Sequence, residues 1–148
     1  MPKINSRNKG AQFERDIAKI LNEFFIEEGI DYQTKRNLDQ YQQKDLCDLN
    51  IPYHAIECKF YREGDLLRPA WWEQVCKASA GKIPTLIYKF NRRPVRVCIP
   101  LSAINLEWST DHTKVAVLSM DDWLSVLATN WDLYSKESEV ELIALDDP

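Results

Sequence analysis

Three residues near the middle of the chain carry the chemistry of a hard-cation site: Asp48, Glu57 and Lys59. They sit in the stretch Asp48-Leu49-Asn50-Ile51-Pro52-Tyr53-His54-Ala55-Ile56-Glu57-Cys58-Lys59-Phe60. Leu49, Ile51, Ile56, Cys58 and Phe60 are apolar, and the three charges fall on the opposite parity. Two runs of period 2 broken by Pro-Tyr-His read as the half-buried strands of a hairpin. An even-length loop puts all three charges on one face. A two-residue loop at Pro52-Tyr53 sets Asp48 opposite Glu57, but Pro52 cannot take the positive φ that opens a primed turn. A four-residue loop is therefore expected, with Asp48 opposite Lys59 and Glu57 diagonal to it. Either register leaves the two acidic Cβ atoms roughly 5–8 Å apart, and an odd-length loop separates them.

A solvated outer face explains such a pattern at a sheet edge. A metal site explains it too, because carboxylate oxygens suit Mg²⁺, which keeps several waters and takes one or two carboxylates plus a substrate phosphate. Lys59 favours the second reading, since an amine beside the carboxylates can hold or polarise a water near the metal.

Asp48 followed nine positions on by Glu57-Cys58-Lys59 resembles the core of the PD-(D/E)xK nuclease superfamily, with Lys9-Gly10-Ala11-Gln12-Phe13-Glu14 upstream and Glu73-Gln74 downstream. The set is most similar to the small phage and archaeal Holliday-junction resolvases of that superfamily, over about residues 7–90. The resemblance implies an α/β, restriction-endonuclease-like fold: a central mixed sheet flanked by helices. It implies metal binding by Asp48, Glu57 and the Cys58 backbone, with Mg²⁺ as cofactor and Mn²⁺ able to substitute. It further implies that Lys59 positions or polarises the attacking water, that Glu14 is an indirect metal ligand or site organiser, and that Gln74, on the helix after the Glu-X-Lys strand, belongs to the catalytic set near the site. Cys47 stands where the family often has Pro. Asp45 faces the other side of its strand and is the second choice for the metal-binding Asp.

The chain has 148 residues, enough for one domain with a real core, and its hydrophobic share of 45% fits an ordered globular protein. Residues 1–148 read as a single nuclease domain: a basic arm over 1–10, a catalytic core over 11–100 and an acidic C-terminal extension over 101–148. The net charge of -4 hides a division: residues 1–100 hold 17 Lys and Arg against 13 acids, residues 101–148 only 2 against 10. Phosphate contacts need local positive charge, which the first hundred residues have. The acidic third serves solubility, or covers the core, or meets a partner. No run is long enough for a membrane span, and the basic N-terminus lacks an apolar leader. Cys47, Cys58, Cys76 and Cys98 lack paired zinc spacing, so reduced thiols in a cytoplasm (the host's, for a phage protein) are expected.

The elements that must hold the three charges follow from periodicity. Phe13, Ile17, Ile20, Leu21 and Phe24 form the apolar stripe of a helix ending near Gly29, with Glu14 adjoining it and able to overhang the sheet. Ile30–Thr34 reads as a short strand, followed by Lys35-Arg36 and a Gln-rich loop. Pro69 opens a second helix and Gly81 closes it; Trp71 and Trp72 there fit the core better than base stacking. Residues 84–90 and 94–99 form a hairpin with Asn91-Arg92-Arg93 at its tip, and Val115–Leu118 a further strand. Ser119 caps a helix over Met120–Thr129, and Val140–Leu145 reads as a last strand. His54, placed in the hairpin turn, and His112 receive no role.

Two function classes remain. The first is a Mg²⁺-dependent endodeoxyribonuclease acting on branched or duplex DNA, a Holliday-junction resolvase by family likeness, with restriction or repair nucleases of the superfamily as the alternative. Arg7, Lys9, Arg36, Arg62, Arg92 and Arg93 would track the DNA backbone. A resolvase implies a homodimer, since symmetric cutting of two strands calls for two sites on a two-fold axis; no organic cofactor and no membrane enter. The second class is a non-catalytic DNA- or protein-binding module on the same scaffold, disfavoured because Asp48, Glu57 and Lys59 are all present.

Overall fold

The computed structural model describes residues 6–37 and 47–146, with side chains over 8–37 and 47–136. Helix α1 (Ser6–Glu27) precedes strands β1 (Leu49–Ile51) and β2 (His54–Tyr61). Helix α2 (Pro69–Ala78) leads to β3 (Ile83–Phe90) and β4 (Arg96–Pro100), and β5 (Val115–Ser119) runs directly into α3 (Met120–Asp146). The five strands form one sheet in the order β1-β2-β3-β4-β5. Strands β2 and β3 are parallel, joined by α2 as crossover; the other pairs are antiparallel. This is the mixed sheet with flanking helices that the resemblance implies.

Strand alternation sorts the core into two layers. Leu49, Ile51, Ile56, Ile87, Val97 and Ile99 pack with Phe13, Ile17, Leu21 and Phe25 of α1 and with Trp123, Leu127 and Tyr134 of α3. Ala55, Leu86, Tyr88, Phe90 and Cys98 face the other way, onto Trp71 and Val75 of α2. The tryptophan expected in the core is there, Trp71 buried and Trp72 half-buried with its indole N–H on the His112 carbonyl. After β2 the chain turns at Gly64 (φ 134), where a Cβ would run into the Phe90 ring, so the close approach requires glycine.

Four expectations about elements are corrected. The hairpin loop has two residues, not four: Ile51 pairs with His54, leaving Pro52-Tyr53 as the turn. The objection to Pro52 holds only for primed turns. Here Pro52 takes the second position and Tyr53 adopts φ 70, the signature of a type II turn. The strained tyrosine is held by its carbonyl, which accepts the Ile83 N–H at 2.8 Å, and by its ring against Trp131 at 5.6 Å.

Ile30–Thr34 is not a strand. The Asn22 side-chain amide brackets Thr34, accepting its N–H at 2.8 Å and donating to its carbonyl at 3.1 Å, while the Thr34 hydroxyl donates to the Asn50 carbonyl. Side chains satisfy backbone groups that a ladder would otherwise use. Only Arg36 makes a bridge, opposite Leu49.

Val140–Leu145 is helical. Helix α3 runs on past Thr129 to Asp146, because no Gly or Pro stands between Ser119 and Pro148 to stop it. The Ser119 cap is as expected, its hydroxyl accepting the Asp122 N–H at 3.1 Å. At the other end of the chain, α1 starts at Ser6, so Arg7 and Lys9 ride on its first turns rather than on an arm before it. No described helix is long and apolar enough to cross a membrane.

Candidate active site

The two-residue turn fixes the register of the acids. Leu49 pairs with Ile56, so the next position outward sets Asp48 across from Glu57. Beyond Leu49 the ladder ends, and the Asp48 side chain takes over: its Oδ2 accepts the Cys58 N–H at 2.8 Å. The same segment is anchored on its outer side, where the Asp48 carbonyl accepts the Asn37 N–H at 2.8 Å. Asp48 and Glu57 are both buried, at 7% exposure each, which a solvated outer face does not produce.

Glu14 arrives from α1 and is equally buried. Its carboxyl group lies beside that of Asp48, which in turn lies beside that of Glu57. Carboxyl groups gathered this closely favour holding a proton between them. Burial, then the charge of Glu57, pushes the Asp48 carboxyl up to about 9, against the pull of the Cys58 N–H. Burial also raises Glu57, opposed chiefly by the Lys59 ammonium 3.6 Å away. Three buried acids so close together leave unfavourable negative charge that a cation or a proton must offset.

That donor set fits a hard divalent cation. All the acidic atoms are oxygens, and Glu57 and Lys59 alternate with Ile56, Cys58 and Phe60, which turn toward α1. Among the described residues no group of three or more His, Cys, Asp and Glu side chains is arranged to hold a metal ion by itself. Mg²⁺ does not require one, since water and substrate oxygens fill most of its sphere.

Arg36 is bound to this cluster. Its Nε donates to Glu14 Oε2 at 2.8 Å, with both side chains largely out of solvent. The guanidinium therefore orients an acid of the site before it meets any phosphate. Arg36 can do so because its backbone bridges Leu49 at the edge of β1.

The remaining expected site residues are spread more widely. Gln74 is exposed on α2. Arg62, Arg92 and Arg93 are exposed on loops at one end of the sheet, Arg93 facing Asp65 at 3.9 Å. Lys9 lies over the Phe60 ring, and the Arg7 side chain, like Asp45 and the Gln-rich stretch, lies outside the described residues. All four cysteines are free, and burial pushes the thiols of Cys47 and Cys98 up to about 12, which keeps them protonated and unreactive.

Sequence reasoning missed two features. Arg15, Lys19, Lys35 and Arg36 line one surface groove beside Glu14; the i, i+4 spacing of Arg15 and Lys19 was the available signal. His54 is not in the turn but opens β2, fully buried, with its ring stacked on Trp131 and edge-on to Tyr134. Nothing local to His54 signals that burial, because both partners come from α3.

No curated protein matches the chain in sequence. Among solved structures it resembles Hjc, a Holliday junction resolvase of the archaeal hyperthermophile Archaeoglobus fulgidus, at 19% identity and a TM-score of 0.44 over 74% of this chain and 86% of that one. The family model described as "Phage putative PDDEXK endonuclease" matches residues 5–143. With nearly its whole length inside that match, and Asp48, Glu57 and Lys59 gathered at one hairpin, the chain belongs to this phage PDDEXK endonuclease family.

Proposed function

We propose that this protein is a divalent-metal-dependent endodeoxyribonuclease, a structure-specific enzyme of the Holliday-junction-resolving type that works as a homodimer. The observation that carries the proposal is the buried acid pair Asp48 and Glu57 with Lys59 beside it. Asp48, Glu57 and the Cys58 backbone would hold Mg²⁺, with Mn²⁺ as a substitute. Such an ion supplies Lewis-acid stabilisation of the charge that develops on the scissile phosphate.

The chain's own groups do the rest. The Lys59 ammonium, 3.6 Å from Glu57 Oε1, is placed to hydrogen-bond an attacking water and orient it toward phosphorus. The Cys58 N–H fixes the Asp48 carboxylate on the strand. Arg36 fixes Glu14, whose carboxyl group lies beside Asp48. Exposed Arg62, Arg92 and Arg93, with Arg7 and Lys9, supply sequence-independent contacts to the DNA backbone. Gln74, exposed on α2, would act on the substrate side rather than on the acids. Two copies would set two such sites on a two-fold axis, as symmetric incision of a junction needs.

The deciding experiment incubates the protein with labelled four-way junction and with linear duplex, each in Mg²⁺ and in EDTA. Paired nicks in the junction, in Mg²⁺ only, are the expected result. Equal cutting of duplex would replace the resolving activity with a general nuclease, and no cutting in any divalent metal would end the enzyme reading.

A further inference from the structure

We propose that the groove between α1 and the end of β2 seats one unpaired nucleobase, with Phe60 as its floor and Lys9 and Lys89 holding the flanking phosphates. The groove encloses about 340 Å³ and is lined by Phe13, Ile17, Ile20, Phe60 and Val95, with the two lysines and Gln12 among its polar residues. Phe60 follows Lys59 directly, so the groove begins one residue from the proposed catalytic amine, on the opposite face of β2.

Both ammonium groups lie over the same ring, Lys9 at 5.9 Å and Lys89 at 5.8 Å from its centroid. Phe13 braces the ring edge-on at 5.6 Å. Neither lysine makes an ion pair among the described residues. Asp16, the acid of the groove, instead accepts a hydrogen bond from Gln12 Nε2 at 2.8 Å. Two like charges gathered over a half-buried aromatic ring are held only by weak cation–π attraction, and an anion would hold them better. A flat apolar floor under two unpaired cations complements a nucleotide strand, which offers a π-face and a phosphate on either side of it. The volume is near the lower end for small-ligand pockets, roughly 300–1,000 Å³, which suits a single base and not a duplex.

The proposal rests on the nuclease reading and refines its substrate: DNA with an unpaired nucleotide or single-stranded arm next to the cut. Full-length protein is titrated in EDTA, where nothing is cleaved, with a duplex bearing a short arm that contains 2-aminopurine and with the same duplex blunt-ended. The arm should raise affinity, and 2-aminopurine emission should drop as the base enters the groove. Gln12→Trp, an exposed rim position, should obstruct the groove and remove the advantage, a loss of roughly five- to a hundredfold for one stacked base. Lys89→Ala should reduce both the advantage and the salt dependence of arm binding. Equal affinity for armed and blunt DNA, an advantage untouched by both substitutions, or unchanged emission (as when an acyl chain is the true occupant) would overturn the proposal. Because binding is read without cleavage, an inactive protein that keeps the arm effect would sink the nuclease reading and leave the seat standing.

Discussion

Asp48 stands across the hairpin from Glu57 and reaches past it to accept the Cys58 N–H at 2.8 Å. One carboxylate oxygen is thereby spent on fixing the side chain to the strand, while the other side of the group meets Glu14 and Glu57. The arrangement is costly on its own. Burial and like charge raise both members of the pair, so the metal-free protein carries protons where an active nuclease needs anions.

Asp48→Asn should therefore stabilise the metal-free protein while abolishing cleavage. Asparagine can still accept the Cys58 N–H, and it removes a buried acid that the fold must keep protonated. Unfolding in EDTA near pH 8 should show a gain on the order of 2 kcal/mol. Binding to a labelled junction should persist. A variant that loses stability and binding together would mean that the assignment of Asp48 is wrong.

Metal binding should strengthen with pH, and the sign follows from Asp48. Its folded-state value of about 9 lies far above the ordinary 3.8. Between those limits the folded form holds a proton that the unfolded form has lost, so metal-free stability falls as pH rises from about 4 to about 9. A divalent cation competes for the same oxygens and releases that proton. The rise in Tm on adding Mg²⁺ or Mn²⁺ should thus be larger near pH 8.5 than near pH 6, and absent in Asp48→Asn. A pH-independent rise, or one that the variant keeps, would place the cation elsewhere.

The shared face of Asp48, Glu57 and Lys59 was legible because a strand's period of 2 ties parity to face, and all three obey it. The turn was not, because Pro52 excludes only the primed types and the chain used a left-handed Tyr53 stabilised by Trp131, far along the sequence. Val140–Leu145 failed for another reason: a short apolar run has no periodicity of its own to separate helix from strand. The pairing of Arg36 with Glu14 spans 22 residues, and only the folded bridge between Arg36 and Leu49 brings them together. Local patterns give faces; partners come from the assembled sheet.

Arg36 and Glu14 should be coupled in stability. Removing the guanidinium takes this ion pair from Glu14, buried beside Asp48, and breaking a buried pair costs on the order of 3 kcal/mol. Arg36→Ala should be destabilised by about that much and lose cleavage, with the acids no longer held in place. Combining it with Glu14→Gln should restore most of the stability but not the cleavage. Strict additivity of the two substitutions would show that the ion pair does not act as a unit.

His54 should set the acid limb of the stability curve. Its Nδ1 lies 2.8 Å from the Pro52 carbonyl, which can only accept, so Nδ1 carries the proton, and the buried Nε2 has no partner among the described residues. Burial lowers the imidazole from 6.5 to about 4, with Lys82 adding to the effect and the Pro52 carbonyl opposing it. As pH falls from about 6.5 toward 4, the unfolded chain takes up a proton that the folded chain refuses, so stability is lost over that window and retained above it. The full difference is about 3 kcal/mol at 1.36 kcal/mol per pH unit. His54→Phe keeps the aromatic contact with Trp131 and Tyr134 and cannot titrate. Chemical denaturation at a series of pH values should show the wild type losing about that amount more than the variant between about pH 7 and pH 4. Parallel curves would mean that the imidazole gains a proton in place, through water reaching Nε2, and that the base of the hairpin opens more readily than its packing indicates.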